Sequence, residues 1–468
     1  MVVLLLCIVL GWFASPLSAQ VTIDKAVFQT DRRLSPDQRG DLRLQVNSLS
    51  FFRDNEFSTP TLDGYTLPGF GLQPSLQDQP LDKLRLEAGL HLLRYWGADR
   101  YPNMAYQDIA YWSGRKQKGV HLLPFFRVQA ALSDQVTIVL GDLYGGANHQ
   151  LIEPLYAPEL NLTADPEAGL QLLYEGRRYE MDLWVNWQSF IFRTDTHQEA
   201  FTVGLSSRVK LNDETNPIHY YIPVQAMIQH RGGEIDTIQT QSVQTLMNGS
   251  IGFGLRWQVD NPLFHQLDAS VHALGYYQQA GELWPFDQGA AGYVSASLQL
   301  GSGFQVKGSY CYGQKFISLY GYPFYGCVST KQSDTTFDAI KTGYLGVEYC
   351  RPLAPGYAIG INMDLFLEGN RKATDATQTV THIGRSSCFS AGIYLRIQPS
   401  FLLKKFQEHY LFITQKTESL TVPSRLARTS STDKQLHNPR PGHRFRLWHW
   451  NRPMQADLSY YLQSDPSA

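Results

Sequence analysis

The chain has 468 residues, a formal net charge of -2, 43% hydrophobic and 13% aromatic residues, and only 18% charged ones. That balance excludes a dedicated nucleic-acid binder, which concentrates basic side chains on one face, so no nucleic-acid partner is expected. A negative mean hydropathy and the lack of an internal apolar run of about twenty residues exclude a helical membrane protein. They leave open a β-barrel, whose strands conceal their hydrophobicity by alternation.

Residues 1–19 are an apolar run closed by Ser15-Pro16-Leu17-Ser18-Ala19. Apolar core, helix breaker and small residues read as a secretory signal peptide, although the usual basic start is missing. Residues 20–40 are then expected to be a periplasmic segment. From residue 41 the hydrophobic period becomes two, the period of a strand with one apolar and one polar face. Leu42, Leu44 and Val46 oppose Arg43, Gln45 and Asn47. Residues 65–76 are a weaker candidate because Pro68 and Pro74 interrupt them. Leu84 to Leu92 alternate with Arg85, Glu87 and His91, and Leu122, Phe126 and Val128 with His121 and Arg127.

The pattern is sharpest over residues 179–188. Tyr179, Met181, Leu183, Val185 and Trp187 point one way; Glu180, Asp182, Trp184, Asn186 and Gln188 point the other. It recurs with Arg208, Arg256, Asp268, His272, Asp364, Glu368 and Arg396 on the polar sides of later strands. Many runs approach the length of about 9–11 residues that a tilted strand needs to cross a bilayer.

Short turns at residues 133–134, 176–177, 212–213, 260–262, 301–303 and 352–355 alternate with longer polar loops at 98–118, 145–167, 231–244, 315–338 and 370–385. Outer-membrane barrels sort their connections in this way, with tight turns in the periplasm and long loops outside. Counting back from a last strand ending at Phe406 predicts an all-β, closed antiparallel transmembrane β-barrel of roughly 16 strands over residues 41–406. Fourteen strands is the fallback if residues 42–76 form a plug or arm. Residues 407–468 lack strand alternation and are expected to be a disordered tail or a non-native extension.

The stretch Leu402-Leu403-Lys404-Lys405-Phe406 resembles the closing strand of Gram-negative outer-membrane proteins, which ends on an aromatic residue. Tyr65-Thr66-Leu67-Pro68-Gly69 and Leu151-Ile152-Glu153-Pro154-Leu155 are similar to segments of a barrel family with porin-like proportions. The resemblance implies a location in the cell outer membrane, contact with its lipid and insertion by the barrel-insertion machinery. It does not specify a substrate.

Ten charged residues are expected to line the lumen: Arg85, Glu87, Arg127, Glu180, Asp182, Arg208, Arg256, Asp268, Asp364 and Arg396. Their mixed signs fit interior salt bridges or opposed walls that orient a polar solute. Among the loops, Asp142, His149 and Glu153 are candidates for a cation or sugar cluster, the alternative being a solvated Gly-Gly turn. His230, Arg231, Glu234 and Asp236 are candidates for a lumen constriction, with the same alternative. Trp96, Trp112, Trp184, Tyr276, Tyr293, Tyr320, Tyr322 and Tyr325 suit either a glycan path or the interfacial girdles.

Cys311, Cys327, Cys350 and Cys388 lack the paired spacing of a zinc site, and a disulfide among them stays open. No metal or cofactor is expected. Without a nucleophile elbow or a His-Glu-x-x-His helix, and with His121 and His272 lacking an identifiable partner, the chain is not expected to be an enzyme. The expectation is a channel that passes or binds small polar solutes, saccharides among them. The alternatives are a non-conducting barrel that binds or assembles surface polysaccharide, and an outer-membrane enzyme.

Overall fold

The computed structural model describes residues 22–97, 120–190, 198–213, 215–233, 243–259, 261–332 and 334–406. The expected signal peptide and the tail at 407–468 lie outside the described residues. A closed sheet of sixteen antiparallel strands forms the wall. Its strands are β1 (Asp41–Ser58), β2 (Asp63–Leu81), β3 (Leu84–Tyr95), β4 (His121–Ala131), β5 (Val136–Asp142), β6 (Ala168–Glu175), β7 (Tyr179–Ser189) and β8 (Ala200–Lys210). They continue as β9 (Ile218–Arg231), β10 (Gln244–Gln258), β11 (Phe264–Ala280), β12 (Gln288–Leu300), β13 (Phe304–Gln314), β14 (Ile340–Ala354), β15 (Tyr357–Glu368) and β16 (Ser386–Ile397, resumed at Ser400–Lys405). The ring closes where β1 meets β16, pairing Phe51 with Tyr394 and Leu44 with Phe401.

Alternation along each strand sets what the wall shows on either side. Outward-pointing Leu122, Phe126, Ile251, Val271, Val294 and Phe389 are exposed, whereas Arg85, Glu87, Arg127, Asp182 and Trp184 are buried inside. The doubtful strand proves to be a full one: β2 runs for 19 residues through both prolines. Pro74 sits where the β2–β3 ladder skips from Leu72 to Ser75, and Pro68 lies just before that ladder begins at Gly69. The Pro68 carbonyl accepts the Trp96 N–H at 2.9 Å, so both prolines face β3 and each leaves one donor missing there, while pairing with β1 runs on through both.

The wall is uneven in height. Strands β9 to β12 have 14, 15, 17 and 13 residues, but β5 has 7 and β6 has 8. Seven tilted residues rise about 18 Å, short of the apolar band of about 25 Å that a barrel presents to lipid. Gly141 and Gly169 mark where this hairpin leaves the wall, with φ of 86° and 152°. A Cβ on Gly141 would lie 2.2 Å from the Phe126 carbonyl oxygen, so this turn requires glycine.

Above that point residues 143–167 fold into the barrel instead of outward. Residues 315–338 do the same from the opposite wall. Leu155 and Leu160 of the first segment pack with Phe316, Leu319, Tyr320, Phe324 and Tyr325 of the second, all buried. Asn248 of β10 clamps the second segment, donating to the Ile317 carbonyl at 2.8 Å and accepting from the Leu319 N–H at 2.9 Å. The expectation that 315–338 is a polar loop outside the barrel is thus corrected, because its apolar residues pack inside the lumen.

Residues 22–40 enter from the periplasmic end. Ile23 and Val27 pack against Cys350 and Tyr394. Farther along, the Gln29 side chain donates to the Ala147 carbonyl at 3.1 Å, and the Thr30 N–H to Asn148 Oδ1 at 2.9 Å. This segment and residues 143–167 together form a partition across the barrel.

Candidate functional site

The partition leaves two sets of space inside the wall. A chamber of 520 Å³ lies beside β7 to β16 and has Glu153, Lys307, His272, Tyr293, Glu348 and Asp364 in its lining. A second space of 190 Å³, with a neighbouring one of 140 Å³, lies against β1 to β4 and is bordered by His91 and Ala164.

The charged inner wall is largely paired. Arg127 meets Glu87 at 3.1 Å, Arg256 meets Asp268 at 2.8 Å, and Glu180 meets Lys210 at 2.6 Å and Arg208 at 3.9 Å. Arg85 donates to the Arg33 carbonyl at 2.7 Å and Arg396 to the Val27 carbonyl at 2.8 Å, so both hold the N-terminal segment. The densest cluster surrounds Arg53, a residue the strand pattern did not single out. Its guanidinium lies 2.9 Å from Asp364 and 3.3 Å from Glu159, and donates to Ser390, Tyr394 and Asn55.

The loop triad of Asp142, His149 and Glu153 does not converge. Asp142 caps the strand edge by accepting the Phe126 N–H. His149 instead bridges Asp182 at 2.9 Å and Glu167 at 3.2 Å, with its ring stacked 3.5 Å from Trp184. Burial alone would depress this imidazole, but Glu167 and Asp182 outweigh it and hold it up at about 9. Burial would likewise raise Glu167, yet His149 reverses the shift and lowers it. A histidine charged at neutral pH and bonded at both nitrogens is a structural cation, not a base.

Glu153 faces the large chamber and accepts from the Tyr325 hydroxyl at 2.9 Å. Burial lifts its carboxyl to about 7 against the pull of Lys307 and of that hydroxyl. In the same chamber His272 lies 3.0 Å from Ser250 through Nδ1 and 3.0 Å from Ser270 through Nε2. His230 contacts Thr245 at 2.9 Å, apart from both centres, and Arg231 is buried on the inner face. Glu234, Asp236 and Trp112 lie outside the described residues. Tyr320, Tyr322 and Tyr325 are buried and cannot stack on a glycan at the surface. The four cysteines are free, buried thiols.

One constellation lies beside the short hairpin. His121, at the outer end of β4, is 2.9 Å from Asp165 through Nδ1, and His91 Nε2 is 4.0 Å from the same carboxylate oxygen. Tyr95 packs its ring 5.8 Å from His121. The carboxylate makes Nδ1 the donor nitrogen, so Nε2 is the basic one, the arrangement of a general base. The sequence pattern placed His121 on the polar face. Its partner was hidden because Asp165 comes from the loop 44 residues later.

A closed barrel with an apolar outer belt and a charged interior is an outer-membrane protein. The chain matches the family model described as Lipid A 3'-O-deacylase-type over residues 34–406, and it belongs to that family. The expectation that the chain is not an enzyme is overturned by this match. No curated protein sequence matches the chain. Among solved structures it is similar to OccAB3 of Acinetobacter baumannii, with TM-score 0.44 and 12% identity, covering 77% of this chain and 100% of that one. It is also similar to OprD of Pseudomonas aeruginosa, with TM-score 0.39 and 11% identity over 79% and 95% of the two chains. An anion-selective porin from Comamonas acidovorans scores 0.39 at 11% identity, over 76% and 98%.

Proposed function

We propose that this protein is an outer-membrane hydrolase that removes an O-linked acyl chain from a lipid A-type glycolipid. The family supports the reaction class. The observation that carries the site assignment is the Asp165-held imidazole of His121 beside the lowest part of the wall. In this reading His121 takes a proton from water as the water oxygen bonds to the ester carbonyl carbon. The ester C–O bond then breaks, the proton passes to the sugar oxygen, and a fatty acid and a free hydroxyl leave. Asp165 orients the ring and offsets the charge that develops on it.

Passage of polar solutes is the weaker reading. A conduit needs a continuous aqueous path, and Phe316, Leu319, Tyr320 and Phe324 pack across the outer half of the lumen. The test is mass spectrometry of lipid A vesicles incubated with the purified full chain in detergent. The expected outcome is loss of one acyl mass, slowed about 10²–10⁴-fold by His121→Gln, the range for a positioned proton-transfer group. No acyl loss from the native chain, or an undiminished rate in His121→Gln, would sink this assignment.

A further inference from the structure

The short hairpin leaves part of β4 without a neighbour. Pairing with β5 covers only Arg127 to Ala131, so residues 121–126 have β3 on one side and, among the described residues, no strand on the other. The direction of the backbone groups identifies this edge. The Phe126 N–H points toward β5, where Asp142 accepts it, and alternation sends the groups of Pro124 and Leu122 the same way. Pro124 has no N–H to offer on that side, and proline in a sheet belongs on an edge. On the far rim β7 continues past Asn186, its last residue paired with β6 (opposite Gly169), through Trp187 to Ser189.

From these observations we infer a lateral gap in the outer half of the wall, between β4 and β7, that admits a lipid A-type glycolipid from the outer leaflet. The choice of glycolipid rests on the hydrolase reading; the gap itself does not. Its two rims suit an amphiphile. Leu122 and Phe126 are 60% and 54% exposed on the lipid side of β4, an apolar lip for acyl chains. Trp187 stacks on Phe190 and Phe201 at 5.2 and 5.0 Å, as in an interfacial girdle. Its indole N–H is buried without a hydrogen-bond partner and can serve a headgroup oxygen. Behind the gap Asp165 stands 2.9 Å from His121 and, with Pro166, lines the smaller internal space, a carboxylate backing that an acyl chain alone would not select. An ester carbonyl sits between chain and headgroup, so a lipid held across both rims brings its ester toward His121.

The test is photo-crosslinking of the full chain in outer-membrane vesicles rich in lipid A glycolipid. A p-benzoyl-phenylalanine replaces Pro166 behind the gap, Val294 on the lipid face, or Ser297 in the large chamber. Expected is a glycolipid adduct at position 166 approaching the yield at 294, with none at 297. Absence of an adduct at 166, with heat-modifiable gel migration retained, overturns the inference, and so does an adduct with phospholipid only. If the variant at 166 loses that migration, the probe moves to Ala164, where an adduct supports the gap and its absence overturns it. An adduct at 166 in a chain that cleaves no ester upholds the gap and removes the hydrolase reading.

Discussion

The two sides of the barrel wall solve different problems. On the tall side, from β9 to β14, every strand is paired over most of its length, and Asp364 of β15 extends the charged interior by holding Arg53 of β1. On the short side, β5 and β6 stop early and send the chain inward, so the charges beside them serve a partition and a lateral edge. The tall side resembles a barrel built to stand in a membrane. The short side gives up wall height, and with it ladder hydrogen bonds, to set His121 and Asp165 near the outer leaflet. A fold gives up backbone pairing in lipid only where something else satisfies or uses the exposed edge.

The largest effect is expected from breaking the tall side's charge cluster. Arg53→Ala leaves Asp364 and Glu159 buried without their cation. Removing one partner of a buried pair costs about 3–5 kcal/mol. The urea midpoint of heat-modifiable migration should fall accordingly, whereas Arg177→Ala, whose partner Asp213 is at the surface, should leave it within about 0.5 kcal/mol.

A smaller effect belongs to the partition and depends on pH. The folded His149 is held at about 9, above its ordinary value of 6.5. A raised histidine contributes stability that is fully present below pH 6.5 and is lost as pH rises through 9. The shift corresponds to about 3 kcal/mol at most. Glu167 is lowered, so its own contribution is present above its ordinary 4.5 and is lost only in more acid solution. Unfolding midpoints of the native chain should therefore decline between pH 6.5 and 9, and His149→Gln should be less stable at pH 6.5 while flattening that decline. An unchanged slope in the variant would assign the decline to other groups.

Much of the wall was legible because lipid on one face and water on the other impose a strict period of two. Residues 179–188 lie as their pattern predicts, with Trp184 and Asp182 inward. The interior was less legible, for three physical reasons. Phe51 faces in and Phe52 faces out, both apolar, so alternation hid the stretch that carries Arg53. Residues 315–338 read as a polar loop because charged residues bound them, yet their core is Phe316, Ile317, Leu319 and Phe324. His149 and His121 find their carboxylates at separations of 33 and 44 residues, and no local spacing encodes such pairs. Local sequence describes which face a strand residue takes, but not what a loop meets once it turns inward.

The smallest effect, and the sharpest test of the difference between the two sides, is expected from removing Pro124, set against a proline introduced on the tall side. Ala269 in β11 pairs with Leu255 on one side and Ala296 on the other, so Ala269→Pro removes a donor within a complete ladder. That substitution is expected to cost at least about 3 kcal/mol. Pro124 in β4 lies where no described strand pairs on its β5 side. Pro124→Ala restores an N–H that has no ladder partner, and the expected change is within about 0.5 kcal/mol. If Pro124→Ala instead stabilised the barrel by the amount a new ladder bond contributes, about 0.5–1.5 kcal/mol, β4 would have a neighbour at that height. The wall would then be continuous, and the contrast between its two sides would reduce to strand length alone.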